Sequence, residues 1–152
     1  MRKIKFRGKA KSNGQWVYGN LSYLDGGEGF RHVRIESQEW DGGLTRVTEV
    51  NPETVGQNTD IEDVNGKEIY EGDIVEFENS IVSNTGVVVW DRCNPCMAIS
   101  YTHKHTNVNR YEYDFVKCGS MLIEVIGNIH DNPEFLEGPQ EDDKPDVEEV
   151  GD

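Results

Sequence analysis

The chain has 152 residues, a formal net charge of −14 and only 35% hydrophobic residues. That length suits one ordinary domain with a small appendage, and so little apolar content allows only a modest core. No apolar run reaches the roughly 20 residues a membrane-spanning helix needs, and no apolar signal-peptide core follows the charged N-terminus, so a soluble cytoplasmic protein is expected.

The first predicted element is a hairpin. Ile4 and Phe6 alternate with Lys3, Lys5 and Arg7, Ser12-Asn13-Gly14 turns the chain, and Trp16, Tyr18 and Leu21 bring it back. Gly19 is a candidate bulge within it. Residues 25–29 form a glycine-rich loop, and residues 30–36 and 44–50 read as strands, the second ended by Pro52. Residues 53–64 show neither helical nor strand period. Asn65-Gly66 is a tight turn and Glu71-Gly72-Asp73 a second one. Across this corner the acids are expected to face water, and Ile69, Ile74 and Val75 the core.

Residues 74–77 leave the corner as a strand, and residues 78–85 read as a polar loop. The run Gly86-Val87-Val88-Val89-Trp90 predicts a strand buried on both faces. Residues 97–101 predict a further strand, residues 102–110 are polar, Tyr111, Tyr113 and Phe115 alternate, and residues 122–129 form the last strand. Asn132-Pro133-Glu134 starts a short helical turn that docks Phe135 and Leu136 on the body. Residues 137–152 carry eight acids and one lysine, and such a segment reads as disordered.

The predicted fold class is mainly β. An N-terminal β region spans residues 1–64, and an SH3-like small barrel spans residues 65–136, closed by the helical turn. A disordered acidic tail occupies residues 137–152. The first two are expected to form one compact unit. The N-terminal strand pair is the expected sheet edge, a route to weak self-association that its lysines oppose.

Several stretches together resemble the YopX family of phage and prophage proteins. They are Ile4-Lys5-Phe6-Arg7, Trp16-Val17-Tyr18-Gly19, Pro52 to Gln57, Asn65 to Val75, Gly86-Val87-Val88 with Trp90-Asp91, and Glu124 to Glu134. The resemblance covers about residues 1–136 and is weakest over 92–120. It implies an N-terminal β region joined to an SH3-like barrel, in the cytoplasm of a bacterium carrying a phage or integrated element. It implies no reaction, so it assigns no catalytic residue.

The candidate constellations are few. Cys93 and Cys96, with His103 or His105 and Cys118, offer soft donors for zinc, which wants four in a tetrahedron. No second CxxC or HxxxH completes the set, and the plain reading is reduced cytoplasmic thiols. The acids Glu68, Glu71, Asp73 and Glu76, near Asp60, Glu62 and Asp63, could hold a divalent cation or act as acid and base, but acid-base work needs a defined pair in a cleft, and turn acids more often face water and bond to backbone amides. His130-Asp131 with Ser100 or Ser120 lacks a nucleophile elbow. Gly26-Gly27-Glu28-Gly29 lacks the lysine of a phosphate loop.

Lys3, Lys5 and Lys9 are candidates for touching phosphate or an acidic partner, against the commoner reading of a solvated strand face. Trp40 is the candidate exposed aromatic. No catalytic residue and no cofactor is expected. The reading that remains is a non-enzymatic module that binds a host or phage macromolecule, most simply a protein. Its alternatives are an acidic decoy of a host nucleic-acid-binding protein and a zinc-dependent nucleic-acid-binding module.

Overall fold

The computed structural model describes residues 1–38, 45–79, 82–103, 106–113 and 122–137. They form β1 (Phe6–Lys9), β2 (Trp16–Asp25), β3 (Arg31–Gln38), β4 (Thr45–Glu49), β5 (Gly56–Glu62), β6 (Glu68–Tyr70), β7 (Asp73–Asn79), β8 (Val82–Asp91), β9 (Cys96–Thr102), β10 (Asn109–Glu112) and β11 (Ile123–Asn128), with 3-10 turns at Pro52–Thr54 and Pro133–Leu136. One sheet runs β4-β3-β2-β1-β5-β6 and the other β10-β9-β8-β7-β11. No described helix is long and apolar enough to cross a membrane.

Local chemistry sets the first hairpin. Gly14 takes φ 69° at the turn, and the Gln15 amide donates to Asn13 Oδ1 at 3.0 Å. β2 then pairs with β1 along its first half and with β3 along its second. Gly19 sits where it changes partner. It is not a bulge but a close approach, since a Cβ there would lie 2.1 Å from the Glu36 carbonyl oxygen.

Two apolar clusters form the core. Val33, Ile35 and Val50 pack under the first sheet with Phe6, Val17, Leu21 and Val55. The larger cluster joins Val75, Phe77, Val88, Met97, Ile99, Tyr101 and Ile123 of the second sheet to Ile69 of β6, with Ile61 of β5 packed against it. Phe77 and Tyr101 meet edge to face at 5.0 Å. The two sheets therefore share a core.

The fold is mainly β, as the turn-rich pattern implies, but several expectations change. The described strands of residues 65–136 form no closed barrel. They make an open five-stranded sheet, and β6 leaves them to pair with β5. The supposed edge, β1, is interior, held between β2 and β5. Residues 56–62, which show no period, are a strand, because β1 and β6 supply ladders on both sides.

Most of the expected polar loop at 78–85 is also ladder, with Glu78 opposite Ser83 and Phe77 opposite Asn84. The run 86–90 is fully buried on one face only, with Gly86 and Val88 buried and Val87 and Val89 partly so, and at its end Trp90, on the face of Val88, is 44% exposed. Ile69, Ile74 and Val75 are fully buried as expected. The acidic tail beyond Glu137 lies outside the described residues.

The acids of the 65–75 corner do not all face water. Asp73 is 1% exposed and meets Arg7, itself 5% exposed, with Nη2 to Oδ1 at 2.7 Å. The Arg7 guanidinium lies between the rings of Trp16 (4.6 Å) and Tyr70 (4.9 Å). The Tyr70 amide donates to Asp73 Oδ2 at 2.8 Å. Burial raises the Asp73 carboxyl above its ordinary range, against the pull of Arg7 and of that amide.

Asp63 makes a second link between the sheets. It accepts from the Asn65 and Lys67 amides, each at 2.9 Å, and from the Val125 amide of β11 at 3.0 Å.

Deleting one partner of a buried ion pair leaves an uncompensated charge, at a cost of about 3–5 kcal/mol. Arg7→Ala is expected to lower the unfolding free energy by about that amount in urea titrations. Arg7→Met combined with Asp73→Asn is expected to recover part of it. Equal losses in the single and double variants would contradict this account of the pair.

Candidate binding clefts

Most residues singled out in the sequence are committed elsewhere. Lys3 and Lys5 both pair with Glu68, Lys5 at 3.4 Å. Lys9 pairs with Asp131, and Lys11 with Glu49 at 3.0 Å. Each of these four lysines thus has an acid of the chain beside it, with Lys3 and Lys11 still about half exposed.

Cys93 and Cys96 flank the tight turn between β8 and β9. His103 follows the opposite end of β9, seven positions from Cys96, which at about 3.3 Å per residue is about 20 Å away. The fold does not bring His103 to the two thiols. Among the described residues no group of three His, Cys, Asp or Glu gathers for a metal. Trp40, His105, Cys118 and Ser120 lie outside the described residues.

What the fold does build is a pair of clefts on one side of the second sheet, both touching Val87. Between them runs the segment after β11, which Asn128 shapes. Its Oδ1 accepts from the His130 and Asp131 amides, each at 3.0 Å, and its own amide donates to Asn132 Oδ1 at 3.3 Å. Asn132 then leads into the Pro133–Leu136 turn. This explains why the sequence here is dense in Asn and Asp. Such side chains satisfy backbone groups where no ladder can.

The first cleft has a volume of about 960 Å³ and lies across β8 and β9 beside that turn. Thr85 and Val87 of β8, and Ser100 and Thr102 of β9, make its floor, while Asn107, Asn109, Phe135 and Leu136 make its walls. Glu137 is the one charged group among its described lining residues. Ser100 therefore lies in this cleft, whereas His130 lies in the other, so these two do not form a Ser-His pair; the alternative serine, Ser120, lies outside the described residues.

The second cleft, about 460 Å³, opens at the seam between the sheets. Glu53, Glu71, Trp90, Arg92, Ile129 and His130 line it. Gly72, at φ 88°, turns the chain there. Its amide donates to the Val88 carbonyl at 2.8 Å, and its carbonyl accepts from the Ile129 amide at 3.0 Å. Burial raises the Glu71 carboxyl. Burial also lowers His130, with Arg7 and Lys9 adding to the effect, so its imidazole is neutral at neutral pH.

Sequence reasoning passed over Trp90 and Arg92, and placed Glu71 among solvated turn acids. Alternation places Trp90 on the same face as the buried Val88, so no periodic signal marks its exposure. Nothing local marks Arg92.

A protein family described as YopX protein matches residues 5–137. Among solved structures, the chain is similar to the crystal structure of protein EF1440 from Enterococcus faecalis. The identity is 19%, the match covers 90% of this chain and 100% of that one, and the TM-score is 0.49. No curated protein matches.

Beside the second cleft, Lys9, Asn128 and Trp16 hold the Asp131 carboxyl well below its ordinary value of 3.8. Trp16 Nε1 donates to Oδ2 at 2.8 Å. A depressed carboxyl contributes stability that is present above the unfolded-state value and is lost as pH falls. Melting temperatures are therefore expected to drop as pH falls below 3.8. Asp131→Asn is expected to flatten that acid limb, and an unchanged limb would count against the linkage.

Proposed function

The chain belongs to the YopX family, and we propose that it is a non-enzymatic module that holds an extended segment of another protein in the cleft across β8 and β9. The observation that carries this reading is the chemistry of the lining. Hydroxyls and amides from Thr85, Ser100, Thr102, Asn107 and Asn109 stand beside the apolar Val87, Phe135 and Leu136. Alternate residues along a strand repeat at about 6.6 Å, the spacing at which an extended peptide repeats its own amides. Neutral donors and acceptors at that spacing suit main-chain recognition, and the apolar walls suit alternate side chains.

The same lining disfavours a nucleic acid. None of its described residues is a cation, and phosphate binding depends on cations. The internal pairing of Lys3, Lys5 and Lys9 points the same way. A bacterial cytoplasm carrying a phage or prophage is part of the proposal and is supported by family membership.

A photo-crosslinking residue placed at Thr102 should capture a polypeptide from bacterial lysate, and one at Tyr23, which is 60% exposed on the other sheet, should not. Leu136→Asp is expected to weaken the captured interaction about tenfold by removing one buried apolar contact. Equal capture from both positions, or crosslinks to nucleic acid only, would overturn the reading. So would a hydrolytic turnover abolished by one point mutation.

A further inference from the structure

The acids near the seam almost all have partners. Glu68 takes Lys3 and Lys5, Asp73 takes Arg7, Asp131 takes Lys9, Glu49 takes Lys11 and His32, and Asp63 takes three amides. Glu71 is different. Its backbone is fixed, with its amide donating to the Gln57 carbonyl at 2.9 Å and its carbonyl accepting from Arg7 Nη2 at 3.5 Å. Its carboxylate is half-buried in the wall of the second cleft, and no described residue donates to it. Burial raises its carboxyl and so acts against the charge.

A half-buried carboxylate without a donor opposes folding unless something outside the chain compensates it.

The rest of the cleft indicates what would. Trp90, a residue 44% exposed, lines it, and a π-face beside a carboxylate attracts a cation. Glu53 adds a second carboxylate. His130, kept neutral, does not repel positive charge. A volume of about 460 Å³ accommodates one long side chain or a small molecule. Arg92 is the one cation in the described lining, exposed on the turn after β8, and no described ion pair joins it to either carboxylate.

We propose that the seam cleft is a binding site for a guanidinium or alkylammonium group, paired to Glu71 and stacked on Trp90. Such a group comes either from a free small molecule or from an Arg or Lys side chain of a polypeptide. The site does not depend on the peptide reading of the first cleft.

Titration calorimetry with N-acetyl-arginine amide, free arginine and an arginine-centred tripeptide tests the site, with N-acetyl-citrulline amide as the neutral isostere. Binding of the arginine compounds and not of citrulline is expected. Glu71→Gln is expected to weaken it at least about tenfold, the worth of a charge-assisted contact. The same variant should melt no lower than wild type, since it loses a charge that burial disfavours. Trp90→Ala is expected to weaken binding about threefold, and Arg92→Ala to tighten it. Tighter binding of the tripeptide than of free arginine identifies a polypeptide source, and the reverse a small molecule.

Absence of any arginine binding, or equal binding of citrulline, would overturn the proposal. So would an equal loss in Glu28→Gln, a distant exposed acid, because that would reduce the effect to the general pull of a protein with net charge −14.

Discussion

The Arg7 guanidinium sits where neither sheet alone could hold it. It rises from β1, slots between the rings of Trp16 and Tyr70, and meets the Asp73 carboxylate at the start of β7. A buried charge is tolerated only when paired and hydrogen-bonded, so the first sheet is incomplete until the second arrives. Asp63 repeats the device from the other side, its carboxylate shared between the 65–67 turn and β11. These polar links fix the register between sheets that apolar packing through Ile61 and Ile69 brings together.

The clefts follow from that register. The same Arg7 reaches the Glu71 carbonyl, and the next residue, Gly72, is bonded to both β8 and the segment after β11. Glu71, Trp90 and His130 come from three separate parts of the chain and line one space because those parts meet at the seam. The segment between the clefts is held by Asn128, Asp131 and their partners, so the N-terminal hairpin, through Lys9 and Trp16, also anchors it.

Charge is therefore organised rather than spread. Lys3, Lys5, Lys9 and Lys11 read in sequence as a basic face, but each meets an acid of this chain. Such pairs contribute little stability individually when exposed. Their larger effect is to offset much of the positive charge of that stretch, while the wide cleft is lined by neutral hydrogen-bonding groups and the seam by acids and an indole.

Much of this architecture is legible locally. Asn13-Gly14 announces its hairpin, and Ile69, Ile74 and Val75 lie in the core where alternation puts them. What was not legible depends on distant partners. The strand at residues 56–62 hides because its buried residues include Asn58 and Thr59, which a search for apolar period does not count. Arg7 looks like one more solvated cation beside Lys5 and Lys9 until Asp73 is brought to it. Glu71 looks like a turn acid until the seam closes around it.

The central claim is that the buried Arg7–Asp73 pair locks the two sheets into one cooperative unit. Native-state hydrogen exchange followed by mass spectrometry tests it most directly. If the claim holds, the amides of β1, β5, β7 and β11 open together with one common free energy, and Arg7→Met lowers that value in both sheets alike. If β1 and β2 instead open at lower free energy while β7 and β11 keep their protection, and Arg7→Met alters the first sheet alone, the claim is contradicted.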